Sequence, residues 1–368
     1  MSHRIAALAQ QLQPRANATA ADLEPLQPTT AALMTQMALA PVPDEEPPLD
    51  EVRAGYDAML RSMAGWGIDD SGVTSEMIEC PACPACDDCP DCPAVQTLCC
   101  KAAGGGKKPV LIYMHGGGWV QGTVAGYGAF TCALAARGGF HVISVDYRLA
   151  PEHPAPAAAD DCFNVLKWVA SGAPGSGLEV DGSKIALCGD SAGGHLTIVT
   201  AIAARDAGIP IMVQVPMCPV TDCRLGAHRE GTSYKHFAEG FLLTEEKMEW
   251  FIETYLPNES DRLDWRASPM LAPSLDDLPP TILCTADHDI LRDEGRAMAT
   301  LLNAAGVQTE YREYAGQVRD LRRQLFVLSL FRRHFLSRSC FGEMGVGAHL
   351  LDVRQGCERG ARCCEADR

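Results

Sequence analysis

The chain has 368 residues, 47% apolar and 21% charged, so it has room to bury a large core, and fibrous, collagenous or wholly disordered classes are excluded. Its 31 basic and 47 acidic residues give a formal charge of −16, which argues against a nucleic-acid partner for the body of the protein. No stretch approaches the ~18 consecutive apolar residues of a membrane span.

Residues 1–75 read as an N-terminal helical or cap segment. Pro41, Pro43, Pro47 and Pro48 break the chain, and Val52, Tyr56, Met59, Leu60 and Met63 then recur at helical spacing. The first twenty residues are polar and interrupted by Pro14, without the apolar centre of a secretory signal, so a reducing compartment, the cytoplasm, is expected. Residues 76–108 read as a cysteine-rich insertion or loop. Of 17 cysteines, seven lie between Cys80 and Cys100, five of them (Cys80, Cys83, Cys86, Cys89, Cys92) at every third position. A zinc site needs two C-x-x-C pairs separated by a longer loop, and an iron–sulfur run needs a defined fourth ligand. The spacing supplies neither, so no metal and no organic cofactor is expected. Cys132, Cys162, Cys188, Cys218, Cys223 and Cys284 stand singly among apolar residues and read as core filling, because a free thiol behaves as a small hydrophobe.

From Pro109 to Gly316 the rhythm changes. Short apolar runs at 109–114, 141–145, 184–188, 210–216 and 281–285 suit strands buried on both faces. Helical stretches at 126–137, 157–170, 193–207 and 293–305 alternate with them. The expected fold is α/β, a mostly parallel central sheet flanked by helices, with a ligand site at the C-terminal strand ends.

Two motifs stand at those ends. Gly189-Asp190-Ser191-Ala192-Gly193 follows a strand and opens a helix, a tight turn that exposes a serine hydroxyl next to free helix N–H groups. His115-Gly116-Gly117-Gly118-Trp119 follows another strand, and consecutive glycines let backbone N–H groups face a cavity where an oxyanion forms. These motifs, with Asp146–Asp161 (DYRLAPEHPAPAAADD), Gly240–Leu256 (GFLLTEEKMEWFIETYL), Ser268–Leu283 (SPMLAPSLDDLPPTIL) and Asp287–Gly295 (DHDILRDEG), resemble the hormone-sensitive-lipase group of α/β-hydrolases, in its GDSAG carboxylesterase branch.

The resemblance implies the α/β-hydrolase fold with a helical cap, drawn from the N-terminal segment and about 223–256. It implies hydrolysis of small or medium acyl esters through an acyl-serine intermediate. Ser191 would be the nucleophile and Asp289 the acid that orients the base. Gly116, Gly117 and Ala192 would supply the oxyanion amides, and His115 would hold the glycine loop. By chemistry alone Asp287 and Asp293 remain alternatives to Asp289. The expected partner is a small-molecule ester, with no nucleic acid and no membrane span. Oligomeric state stays open, a homodimer being the assembly considered.

The pattern breaks after Gly316. Where the family carries Y-x-G-x-x-H, this chain has Tyr314-Ala315-Gly316-Gln317-Val318-Arg319. Arginine stays protonated and cannot serve as general base. His334 and His349 are the histidines that follow, and His334 is the substitute base considered. Residues 317–368 form a divergent Arg/Cys-rich tail with ten arginines, no lysine and six acids, a composition that fits a shifted reading frame or retained non-coding sequence. The resemblance extends to a plant hormone receptor that lacks this histidine, so it also implies an alternative: a catalytically impaired, hydrolase-derived small-molecule-binding protein.

Overall fold

In the computed structural model, residues 47–64, 72–82 and 93–317 are described. They belong to the first of two units, 1–328 and 329–368, and the second lies outside the described residues. Also outside them lie Cys83–Cys92, Arg319, His334 and His349, and with them the expectations they carried.

The apolar runs become the middle of one eight-stranded sheet: β3 (Lys108–Met114), β4 (His141–Val145), β5 (Val180–Asp190), β6 (Val213–Met217) and β7 (Thr281–Ala286). All five residues of β4 and of β6 and all six of β7 are buried, as strands covered on both faces must be. The order is β1-β2-β4-β3-β5-β6-β7-β8. Pairing is parallel from β4 to β8, while β1–β2 and β2–β4 are antiparallel. The crossovers carry α2 (Gly128–Gly138), α3 (Ala157–Ala170), α4 (Ala192–Asp206) and α7 (Arg292–Ala304), each within two residues of the helical stretches read from the sequence.

Three strands depart from that reading. The segment 76–108, expected as an insertion or loop, contributes β1 (Thr74–Cys80) and β2 (Val95–Lys101), which pair from Thr74↔Lys101 to Cys80↔Val95. The reason lies in β2, where Val95, Thr97, Leu98, Cys99 and Cys100 are buried and the cysteines act as strand hydrophobes. β8 (Thr309–Tyr314) closes the other edge with the polar sequence TEYREY. The six single cysteines are all buried and in no disulfide, in keeping with core filling.

Outside the sheet, α1 (Leu49–Ala64) docks through Arg53. Its guanidinium donates to the carbonyls of Val120 (2.8 Å) and Ala150 (3.0 Å) and pairs with Glu152. Between β6 and β7 lie a short turn of helix, α5 (Ser233–His236), and α6 (Glu245–Tyr255). Thr244 caps α6 by accepting from Lys247 N at 3.1 Å, with Glu245 and Glu246 at the positive end of the helix dipole. Met248, Phe251, Ile252 and Tyr255 follow at spacings of three and four, so one face of α6 is buried.

Candidate active site

Ser191 sits at the joint between β5 and α4 with φ 57 and ψ −121, a conformation that costs a non-glycine residue about 1–3 kcal/mol and persists where its surroundings fix it. Here Ser191 N donates to Met217 O at 2.8 Å, and Ser191 O accepts from His195 N at 3.0 Å. The flanking glycines make the joint tight. A Cβ on Gly189 would lie 2.3 Å from Gly193 O, and one on Gly193 would lie 2.0 Å from Met114 O. Ala192 is the first residue of α4, so its N–H belongs to the first turn, which has no partner within the helix.

The glycine loop after β3 lies against this joint through Asp190. That buried carboxylate accepts Tyr113 Oη (2.6 Å) and Gly116 N (2.9 Å) on Oδ1 and Tyr127 Oη (3.1 Å) on Oδ2. Burial holds its carboxyl above the ordinary value, against the pull of the two tyrosine hydroxyls. The Gly116 amide, expected to face an oxyanion, here donates to Asp190. The amides of Gly117 and Gly118, at φ 128 and 62, have no partner among the described residues. A Cβ on Gly117 would meet Gln121 O at 2.0 Å, and one on Gly118 would meet the Phe251 ring of α6 at 2.2 Å.

His115 is wholly buried. Its ring stacks on Tyr147 at 4.3 Å and holds Nδ1 2.9 Å from Gly116 O, and burial pushes its pKa down. It braces the loop as a neutral ring. Trp119 fixes the other end, donating Nε1–H to His195 Nδ1 at 3.2 Å and stacking on Tyr255 of α6 at 4.6 Å. Burial lowers His195 to about 4, so it too is a neutral acceptor. The DYRLAPEHPAPAAADD stretch builds the support below. Arg148 forks onto buried Asp161 (2.8–3.0 Å), and Ala150 N donates to Trp119 O at 2.9 Å.

Asp289 lies in the turn between β7 and α7, 3% exposed, and its Oδ1 accepts Leu291 N at 3.1 Å. The alternatives by chemistry hold the fold together. Asp287 accepts Gly316 N (2.7 Å) and Gln317 N (2.9 Å). Asp293 accepts Ser233 N (2.8 Å) and Arg292 Nε (2.8 Å). The chain after β8 is therefore pinned beside the Asp289 turn as far as Gln317, two residues short of the histidine position. One ring escaped the sequence reading. His288 Nδ1 lies 2.8 Å from Asp287 Oδ1, with its ring facing Phe237 and Phe241 at 5.6 and 5.7 Å. The Asp287-His288-Asp289 triplet was the available signal. Among the described residues no three His, Cys, Asp or Glu side chains group as a metal would require.

The family model described as alpha/beta hydrolase fold matches residues 111–321, more than half of the chain. A carboxylic ester hydrolase (LipN) of Mycobacterium tuberculosis H37Rv is 39% identical over 59% of this chain. A carboxylesterase (NlhH) of the CDC 1551 strain is 42% identical over 55% of it. The matched stretches span 58% and 63% of those two relatives' own lengths. Among solved structures, a hyperthermophilic esterase from Pyrobaculum calidifontis aligns with TM-score 0.74 and 32% identity, over 86% of this chain and 99% of that one. A thermostable esterase from Pseudomonas putida ECU1011 gives 0.73 and 30%, over 84% and 95%. With the sheet order, the serine joint and the glycine loop, these matches identify the family: the chain belongs to the alpha/beta hydrolase fold-3 family.

Proposed function

We propose that the protein is a serine carboxylesterase acting on small or medium acyl esters. Ser191 Oγ attacks the ester carbonyl, and the amides of Gly117, Gly118 and Ala192 hold the developing oxyanion. The alcohol leaves, and water then releases the acid from the acyl-serine. Asp289 orients the base, and α6 with the rest of 223–256 forms a cap over the site. The observation that carries this reading is the strained Ser191 backbone, together with a glycine loop held to its joint through Asp190 whose Gly117 and Gly118 amides have no partner among the described residues. The named esterase relatives support the same chemistry.

Arg319 at the histidine position favours a second reading, a pocket that binds a small molecule and turns it over slowly or not at all. Hydrolysis of p-nitrophenyl acetate and butyrate by the full chain, Ser191→Ala and Arg319→His separates the two. An esterase lacking its base gives a slow Ser191-dependent rate that Arg319→His raises by ~10²-fold or more. Equal rates in the full chain, Ser191→Ala and Arg319→His overturn the esterase reading. If the native rate depends on Ser191, His334→Ala and His288→Ala show which ring supplies the base.

A further inference from the structure

The thiols of Cys100 and Cys132 lie 3.0 Å apart, about 1 Å beyond the ~2.05 Å of a disulfide bond. They come from separate elements, Cys100 from β2 and Cys132 from the first turns of α2. Side chains alternate faces along a strand, so Cys100 turns toward α2 while its neighbour Cys99 turns the other way, with its sulfur 3.6 Å from Thr97 Oγ1. Thr131 Oγ1, beside Cys132, also touches Cys100 sulfur at 3.5 Å.

We propose that Cys100 and Cys132 form an oxidisable dithiol that closes to a disulfide with hydrogen peroxide as the oxidant. Cys132 reacts first, since it is 8% exposed while Cys100 is fully covered. Its sulfur gives up the thiol proton and attacks the peroxide O–O bond, and the departing hydroxide takes that proton as one water, leaving a sulfenic acid. The Cys100 sulfur then attacks the sulfenic sulfur, the S–O bond breaks, and a second water leaves with the Cys100 proton. Two thiols lose two electrons in all, and one peroxide becomes two waters. The hydrogen bond with the Cys132 thiol, and then burial, hold Cys100 protonated, so closure is slow and awaits loosening of α2. Tyr127, the residue before α2, donates to Asp190 next to Ser191. The bridge therefore ties the antiparallel side of the sheet to the helix that follows the nucleophile's support.

The test treats the full chain with hydrogen peroxide, blocks remaining thiols under denaturing conditions, and maps tryptic peptides without reduction. The expected product joins the peptide 62–101 to the peptide 108–137. It forms in the native sequence and in Cys99→Ala and is absent in Cys100→Ala and Cys132→Ser. The oxidised chain melts on the order of 5 °C higher than the reduced one, and dithiothreitol reverses the rise. Free Cys100 and Cys132 after treatment, their conversion to sulfinic or sulfonic acids, or a cross-link to Cys132 that survives Cys100→Ala overturns the proposal. Should Cys100→Ala fail to fold, Cys132→Ser, at the less buried position, carries the comparison.

Discussion

Replacing Gly118 by alanine puts a methyl group 2.2 Å from the Phe251 ring on a backbone held at φ 62. Phe251 or the loop must yield, and the amide proposed above as an oxyanion donor turns with it. In Arg319→His, Gly118→Ala is expected to lower kcat for p-nitrophenyl butyrate ~10²-fold with KM changed far less, because an oxyanion donor acts chiefly in the transition state. Unchanged kcat would return Gly118 to a purely packing role. The motif H-G-G-G-W is legible in the sequence as a glycine loop after a strand, but its letters do not say which of its amides stays unpaired. That depends on Asp190, which takes up Gly116 N together with two tyrosines from β3 and from the turn before α2, groups 63 to 77 residues away along the chain. Asp289, by contrast, was singled out by family pattern alone. The structure adds that Asp287 and Asp293 are occupied in bracing the loops around it.

The joint of β5 with α4 is where two elements meet with no room to spare. Gly193→Ala drives a Cβ to 2.0 Å from the Met114 carbonyl, and β3 is bonded on both edges and has nowhere to move. A loss of about 3 kcal/mol in urea unfolding is expected, whereas Gly139→Ala, with open space around its Cβ, loses only the strain of its φ of 69. Equal losses would show that the helix and strand are not in close contact. Element legibility follows burial. The five central strands were readable because both faces are covered and their sequences are apolar throughout. β1 (TSEMIEC, exposed over most of its length) and β8 (TEYREY) are edge strands whose outer residues answer to solvent, so an apolar-run criterion passes over them. β2 hides for another reason: its adjacent cysteines continue the C-x-x-C run in the sequence, yet in the fold they are buried as strand hydrophobes.

Across the molecule, acid–base behaviour is set by what the core encloses. Burial lifts the Glu294 carboxyl to about 8 from an ordinary 4.5, against Arg229 and the Thr221 amide, which lower it, and with Asp222, which raises it. Between those two values the folded chain holds a proton that the unfolded chain releases. Stability from this group is therefore full below ~4.5 and declines as pH rises toward 8, by at most ~1.4 kcal/mol per pH unit. His141 and His195, lowered to about 4, act in the opposite sense as pH falls below 6.5. The Glu294 contribution is thus read as a difference. Glu294→Gln should gain stability relative to the native chain on going from pH 5.5 to 7.5, measured by urea midpoints. A difference that does not change with pH would refute it.

The two bonds from Gly316 N and Gln317 N to Asp287 have a use of their own. They make Gln317 a fixed splice point, since any peptide joined there starts from the same spot beside the Asp289 turn. A short segment bearing histidine two residues after Gln317, ligated onto the body, tests in a single chimera whether the rest of the molecule is already assembled for turnover.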